Sequence, residues 1–259
     1  MTDLFSTGLL CAFAFLAGLV DAVVGGGGLI QLPALFVFLP AAEASVVASV
    51  LGTNKLSSFC GTSLAMVQYS RHLRLSWASL LPAAFAAFVF SFLGARVVTQ
   101  LRPEFLRPLV LVLLVAVAIY TFGRKDLGER HAPVFTASRE RGYGILVGAG
   151  IGFYDGFFGP GTGSFLIFVF IGLFGFDFLA ASASAKVINV ATNLAALVYF
   201  AATDHILWRF ALPMALFNVL GSLVGSRLAI LKGNRFIRGL FLTVIGAMIV
   251  RFGWEVFRS

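Results

Sequence analysis

The chain has 259 residues, of which 19 are Lys or Arg and 11 are Asp or Glu, so the net charge is +8 and charged residues make up only 12%. This is about half the charged share of a typical soluble domain, and 59% of the residues are hydrophobic. So few charges cannot cover a soluble surface, which argues against a soluble enzyme, a nucleic-acid-binding domain and a disordered chain, and leaves an integral membrane protein.

Long apolar stretches follow one another along the chain, each long enough to span a membrane as a helix at about 1.5 Å rise per residue. In chain order they cover residues 5–24, 44–69, 76–99, 104–122, 141–158, 180–202, 206–228 and 236–257. Two shorter stretches, Leu29–Pro40 and Ser164–Gly175, follow glycine clusters and are too short to cross alone. We expect half-helices or re-entrant segments there.

The sequences before and after the polar segment Gly123–Glu140 resemble each other, which indicates an internal duplication. At an offset of 131 residues, Lys55 falls on Lys186, Trp77 on Trp208, Pro82 on Pro213, Gly94 on Gly225, Arg96 on Arg227, Phe105 on Phe236 and Arg107 on Arg238. Nearer the start the offset is 134 residues, and Gly18, Asp21, Gly25 and Gly27 fall on Gly152, Asp155, Gly159 and Gly161. We therefore predict a first transmembrane repeat over 1–122, a polar linker over 123–140 and a second repeat over 141–259.

The predicted fold is an all-α integral membrane protein with two tandem repeats. Each repeat has about four long transmembrane helices and a short broken or re-entrant helix after its Gly-rich break. If the short segment completes a crossing, each repeat has five segments and the two are inverted. If it dips in and returns, the repeats are parallel. We favour inverted repeats, a common design among secondary transporters, although basic residues flank the loops on both sides under either arrangement.

Each half has a glycine-rich break inside apolar sequence, from which we take Gly26, Gly27 and Gly28 and then Gly161, Thr162 and Gly163 as candidate binding residues. A helix that restarts after a break points unbonded N–H groups and its positive dipole end at the break, which suits an anion. Close helix packing through small residues is the alternative. Two breaks in register, each followed by a short helix, favour the binding site.

Lys55 and Lys186 lie inside apolar spans, where an ammonium group costs at least about 2.5–3.5 kcal/mol and needs a polar interior or a partner. Neutral hydrogen-bonding residues lie nearby, and we add them to the two lysines as substrate-binding candidates: Thr53, Asn54, Asn189, Thr192 and Asn193. Asp21 and Asp155 are the acidic residues well inside predicted spans and are candidates for a proton relay. Alternatively each lysine pairs with one of these aspartates as structural support; the two roles are compatible.

The sequence contains no hydrolase motif, no nucleotide-binding loop and no Cys/His metal spacing. Cys11 and Cys60 both lie in apolar stretches, so neither a disulfide nor a metal pair is expected. We therefore predict no enzyme activity, no catalytic residue, no metal and no cofactor.

The segments GLVDAVVGGGGLIQLPAL and LGTNKLSS resemble the first half of the sulfite exporter TauE/SafE family of membrane transporters. The segments GFYDGFFGPGTGSFLI and ASASAKVINVATNLAAL resemble its second half, so the similarity runs from about Gly18 to the end of the last span. The resemblance implies transport of small, mainly sulfur-containing anions such as sulfite, sulfonates or related organic acids. It also implies residence in a bacterial-type inner membrane and coupling to an ion gradient.

The function expected from the sequence is a secondary transporter in the cell inner membrane, with several spans. Its partners would be a small anionic substrate, membrane lipid and a coupling ion, either a proton or sodium, and no nucleic acid; homo-oligomerisation is left open. An uncoupled anion channel using the same site is the first alternative. A non-transporting membrane scaffold is the second, but it would have no need for buried lysines beside glycine breaks.

Overall fold

The computed structural model describes residues 2–40, 47–99 and 132–258, and within these ranges the chain is helical, with no strands. The helices, in chain order, are α1 (Thr2–Val24), α2 (Gly27–Phe38), α3 (Val47–His72), α4 (Trp77–Val98), α5 (Ala137–Phe157), α6 (Thr162–Gly172), α7 (Phe178–Ala202) and α8 (Trp208–Arg258). The all-helical prediction is therefore confirmed for the described residues. The predicted span 104–122 and the first half of the predicted linker, residues 123–131, lie outside them.

The helix boundaries differ from the sequence prediction in three places. The two short helices begin two residues earlier than predicted, at Gly27 and Thr162, so the end of each glycine cluster is already helical. Helix α5 begins at Ala137, inside the predicted linker 123–140. The predicted separate spans 206–228 and 236–257 are one run, α8, with a single non-helical residue at Gly233 (φ 67°, ψ −161°). Apolar residues continue the helix almost to this glycine, which is why the interruption is so short.

Four helical segments in the described ranges are long and apolar enough to cross a membrane: Phe5–Val24, Trp77–Val98, Phe178–Ala202 and Trp208–Val244. Large apolar side chains on α4 and α8 point outward, and Phe85 is 71% and Leu216 60% exposed. Such a surface suits lipid and not water. Helix α3 lacks this apolar character because polar residues fill its middle, but those residues are buried inside the protein.

The first helix of each half packs against a helix of the other half: α1 against α8, and α5 against α4. Small residues allow the close approach, as is common between membrane helices. Along α4 and α5, Gly148 lies against Ala83 and Gly152 against Ala87. Because the contacts advance in the same direction on both helices, α4 and α5 run parallel.

The same register argument fixes the direction of the other long helices. Gly221 lies against Phe15 and Gly225 against Leu19, so α1 and α8 also run parallel. Helix α3 runs parallel to α8, because Thr53 contacts Leu207 and Gly61 contacts Ser222. Helix α7 runs parallel to α4, since Ser91 donates to the carbonyl of Thr192 and Thr99 meets Tyr199. The short turns 73–76 and 203–207 reverse the chain from α3 to α4 and from α7 to α8.

Helices α3 and α7 carry the buried polar residues. They contact each other, and each also packs against a long helix of the other half, α3 against α8 and α7 against α4. The polar residues that these two helices bury are Thr53, Asn54, Lys55, Ser57 and Thr62 on α3, and Ser182, Ser184, Lys186, Asn189, Thr192 and Asn193 on α7. Two apolar clusters surround this polar centre, one built around Phe174 and Phe178 and the other around Leu35 and Phe200. The arrangement places the charged and polar side chains where the two halves meet.

Candidate functional site

The two glycine breaks touch each other at the centre of the molecule. Gly25, between α1 and α2, has φ 75°, a conformation that only glycine adopts readily. A Cβ atom at Gly25 would fall closer than 3 Å to backbone atoms of Gly163 and Ser164, and one at Gly163 would fall equally close to Gly25. The hydroxyl of Ser164 donates to the carbonyl of Val24 and fastens the two breaks together (2.7 Å). The N-terminal ends of α2 and α6 are therefore held side by side.

A small cavity of about 30 Å³ lies between these two helix ends. Its volume is about that of one water molecule. Its lining comes from both halves: Asp21, Gly25, Gly28, Asn54, Lys55 and Ser58 from the first, and Asp155, Gly159, Thr162, Gly163, Asn189 and Asn193 from the second. The first turns of α2 and α6 present N–H groups without partners inside the helix, together with the positive dipole ends.

Lys55 forms one wall of the cavity and is paired with an aspartate of the other half. Its Nζ donates to Oδ2 of Asp155 at 2.7 Å, and both side chains are almost completely buried. A Cβ atom at Gly159 would lie 3.2 Å from the Nζ of Lys55, so the absence of a side chain there leaves the ammonium group accessible from the break.

Lys186 makes the corresponding pair with Asp21 but does not line the cavity. Its Nζ lies 3.0 Å from Oδ2 of Asp21 and also donates to the backbone carbonyl of Asp21. Thr62 donates to the same carboxylate oxygen at 3.0 Å. Lys186 is fully buried, whereas the Asp21 side chain is 18% exposed, against 6% for Asp155. Asp21 therefore covers Lys186 and has the more accessible of the two carboxylates.

Both ion pairs cross between the halves: Lys55 of α3 pairs with Asp155 of α5, and Lys186 of α7 pairs with Asp21 of α1. This is the pairing that the sequence left as an alternative to free lysines. The four formal charges cancel. The two helix ends add roughly half a positive charge each, so the cavity is weakly positive overall.

Six of the residues expected in the binding site from the sequence do not line the cavity: Gly26, Gly27, Thr53, Gly161, Lys186 and Thr192. Gly26 packs against Val244 and Val20, and Gly27 lies against the end of α1. The Thr53 hydroxyl accepts from the backbone N–H of Leu207 at 3.0 Å. The hydroxyl of Thr192 donates back to the carbonyl of Asn189, a common arrangement inside helices.

The remaining positions expected from the sequence come together around the cavity. They are Gly28, Asn54, Lys55, Thr162, Gly163, Asn189 and Asn193, with the aspartates Asp21 and Asp155. Gly25, Gly159 and Ser58 join them although they were not among the predicted site residues. The helical spacing of Ser58, three residues after Lys55, was the available signal for one of them. The amide oxygens of Asn54 and Asn189 are buried without a hydrogen-bond partner, so each can accept a hydrogen bond from a donor such as water.

One buried polar pair had no sequence signal. Asn218 of α8 donates to Oε1 of Gln31 at 2.9 Å and packs against Gly18 and Gly61. Its contacts are with neighbouring helices, which makes it a structural element beside the cavity. Among the described residues, no group of three or more His, Cys, Asp and Glu side chains could hold a metal ion.

Comparison with known proteins places this geometry in context. The family profile described as sulfite exporter TauE/SafE matches residues 10–252. A probable membrane transporter protein, ORF9, of a Sinorhizobium species is 37% identical over 246 residues, which are 92% of this chain and 88% of that protein. The probable membrane transporter protein YfcA of Escherichia coli K12 is 33% identical over 93% of this chain and 87% of its own length. A probable membrane transporter protein of Haemophilus influenzae is 31% identical over 95% and 94%. No solved structure matches the chain.

Proposed function

The chain belongs to the sulfite exporter TauE/SafE family of membrane transporters, and from this premise we propose that it is a secondary transporter for a small sulfur-containing anion such as sulfite or a sulfonate. It acts as a multi-pass protein of the cell inner membrane. The observation that carries the proposal is the cavity between the N-terminal ends of α2 and α6, with the ammonium group of Lys55 in its wall. Helix ends and a lysine are the groups that bind oxyanions in proteins.

The substrate competes with Asp155 for Lys55. In the present state the cavity has room for about one water molecule, so an anion with three oxygens has to widen it. Opening the Lys55–Asp155 contact admits the anion, which replaces the carboxylate as partner of the ammonium group. The displaced carboxylate of Asp155 then has to be hydrated or neutralised. Asn54 and Asn189 line the cavity, and their side-chain NH2 groups can donate to the oxygens of the anion.

The charge balance of the site favours a proton as the coupling ion. Two lysines and two aspartates cancel, so an anion brings a negative charge that only the partial positive charges of the two helix ends offset. A proton taken up by one aspartate restores the balance. Asp21 is better placed than Asp155 to carry this proton, because its carboxylate is the more accessible of the two. Lys186 retains the backbone carbonyl of Asp21 as a partner while that carboxylate is neutral.

Changing Asp21 to Asn is expected to uncouple transport from the proton gradient while the protein stays folded. In proteoliposomes, one unit of pH difference should drive about tenfold accumulation of a monovalent anion by the wild-type protein, measured with a labelled monovalent sulfonate such as methanesulfonate. Asp21→Asn should still allow downhill flux but no accumulation.

Asp204→Asn is the matched control for this experiment. Asp204 is exposed in the turn after α7 and has φ 57°, which asparagine tolerates well, so this variant should accumulate substrate like the wild type. If wild-type vesicles only equilibrate the anion under the proton gradient, the proposal of proton coupling is wrong. A sodium gradient then distinguishes a sodium-coupled transporter from a channel. If no anion crosses faster than in protein-free vesicles, the transport proposal itself fails.

We further propose that the two halves are inverted repeats. Equivalent contacts recur at the predicted offsets and support this arrangement. Ser91 donates to the carbonyl of Thr192, and Ser222, 131 residues after Ser91, donates to that of Gly61. The parallel pairs α1 with α8 and α5 with α4, combined with the tight reversals after α3 and α7, make each helix antiparallel to its counterpart in the other half.

Inverted repeats predict that the turns after α3 and α7 lie on opposite sides of the membrane. Single cysteines introduced as Arg74→Cys and Thr203→Cys, in a background with Cys11 and Cys60 replaced by alanine, test this directly. A membrane-impermeant maleimide added to sealed, uniformly oriented vesicles should label one of them from outside and the other only after the membrane is opened. Labelling of both from the same side would mean parallel repeats.

A further inference from the structure

A second cavity lies far from the ion pairs, between the C-terminal end of α3 and the middle of α8. We call it the α3–α8 groove, and its volume is about 490 Å³. Its lining combines the apolar residues Leu64 and Val67 of α3 and Ile230 of α8 with Arg71, His72 and Arg227. The groove therefore brings apolar and positively charged side chains together.

The arginines of the groove have no acidic partner in the described part of the chain. Neither Arg71 nor Arg227 forms an ion pair there, and no described acidic residue lines the groove. His72 uses Nδ1 to bind the backbone carbonyl of Gln68 and adds a further polar group at the same end. Two unpaired guanidinium groups above an apolar slot match a phosphate group attached to acyl chains.

The groove also lies at the basic end of the molecule. Helix directions put the end of α3 at the same end as the starts of α4, α5 and α7, and the hydrogen bonds from Arg141 to Ala78 and from Leu179 to Asn234 join these elements. Among the described residues of this end, basic ones dominate: Arg71, Arg74, Arg139, Arg141, Arg227, Lys232 and Arg235 against Glu140 and Asp177. Such an excess of basic residues attracts anionic lipid headgroups.

At the opposite end of the molecule, the corresponding space between α7 and α4 is filled. Tyr199 occupies the position equivalent to Gln68 at the 131-residue offset. The hydroxyl of Tyr199 is hydrogen-bonded to the hydroxyl of Thr99 at 3.1 Å. Its ring also packs edge-on against Phe92. Tyr199 therefore packs between α4 and α7, whereas the shorter Gln68 at the equivalent position lines the α3–α8 groove.

We propose that the α3–α8 groove binds one anionic phospholipid, with its phosphate between Arg71 and Arg227 and an acyl chain along Leu64, Val67 and Ile230. This site is separate from the central cavity and does not depend on which anion is transported.

Native mass spectrometry of the delipidated full-length protein tests this site with an equimolar mixture of phosphatidylglycerol and phosphatidylcholine. The wild type should retain phosphatidylglycerol preferentially. The double variant Arg71→Gln/Arg227→Gln should lose this preference by on the order of 30-fold, since each basic residue near the lipid contributes about fivefold. The matched control Arg74→Gln/Arg139→Gln, which removes two exposed arginines of the same end outside the groove, should keep it.

A second variant distinguishes lipid binding in the groove from general attraction of the lipid to the basic surface. Val67→Trp fills the apolar slot and keeps both arginines, and it should also lose the bound lipid. Inorganic phosphate alone should neither displace phosphatidylglycerol nor raise the melting temperature as the lipid does. The proposal is overturned if the two arginine pairs behave alike, if Val67→Trp retains the preference, or if phosphate reproduces the effect of the lipid. The same mass spectra report the oligomeric state. The proposal is also overturned if the groove variants convert a dimer to a monomer without changing lipid retention.

Discussion

Replacing Lys55 by methionine is expected to abolish anion transport and to destabilise the protein by about 3–5 kcal/mol. The cost arises because the buried carboxylate of Asp155 loses the ammonium group 2.7 Å away. The loss of transport has a separate cause, since Lys55 is the cationic side chain in the wall of the central cavity. Flux in proteoliposomes and thermal unfolding in detergent measure the two effects. Lys232→Met, at the exposed basic end, is the matched control and should change neither substantially.

The double variant Lys55→Met/Asp155→Leu separates substrate binding from structural support. Replacing both members of a buried ion pair with apolar residues is often neutral or stabilising, so the melting temperature should return close to that of the wild type. Transport should stay absent, and sulfite should no longer stabilise the protein against heat. Asp155→Asn, which leaves the lysine in place, should retain that stabilisation by sulfite. If the double variant transports sulfite like the wild type, the pair is only structural.

Changing Gly25 to alanine is expected to prevent correct assembly of the two halves. The new methyl group would fall closer than 3 Å to the backbone of Gly163, and the φ of 75° adds conformational strain. Together these effects should cost about 3 kcal/mol or more. For a chain of this size, that corresponds to a fall in melting temperature of roughly 6–12 °C. Gly163→Ala should have a comparable effect, because the contact is reciprocal.

Gly28 provides the control within the same glycine run. A methyl group there would have Pro160 as its nearest neighbour at 3.6 Å, an ordinary van der Waals contact. Gly28 is also inside α2, where alanine is the better helix former by about 1 kcal/mol. The melting temperature of Gly28→Ala should therefore stay the same or rise. If Gly25→Ala and Gly28→Ala lower the melting temperature equally, the close contact between the two breaks is not the reason that position 25 requires glycine.

The sequence predicted the helical fold, the two short helices and the charged residues of the centre, because each leaves a local signal. Length and hydropathy identify the spans, and glycine clusters identify the breaks. A lysine inside an apolar stretch stands out because an ammonium group in the membrane costs free energy. The pairing of Lys55 with Asp155 could not be predicted this way. It depends on which helices of the two halves pack together, and that is determined by contacts such as those of Gly152 with Ala87 and Gly225 with Leu19.

Within the site, the direction of each side chain limited which residues could be predicted from the sequence. Thr53, Asn54 and Lys55 are consecutive in a helix, so their side chains point about 100° apart from one to the next. Asn54 and Lys55 reach the cavity, while Thr53 contacts Leu207 in the turn before α8. Lys186 shares a helix face with Asn189 and Asn193, yet Asp21 separates it from the cavity. A sequence pattern identifies the face of a helix but not the neighbour that covers it.

The crossed ion pairs also affect how the protein is made. Lys55 leaves the ribosome 100 residues before Asp155, and Asp21 leaves it 165 residues before Lys186. At synthesis rates of about 5–20 residues per second, the nascent first half waits roughly 5–30 s with one unneutralised charge of each sign. The insertion machinery, or water drawn into the nascent bundle, has to shelter these two groups until the second half arrives. Membrane integration of this chain is therefore completed late, when its C-terminal helices bring the missing partners.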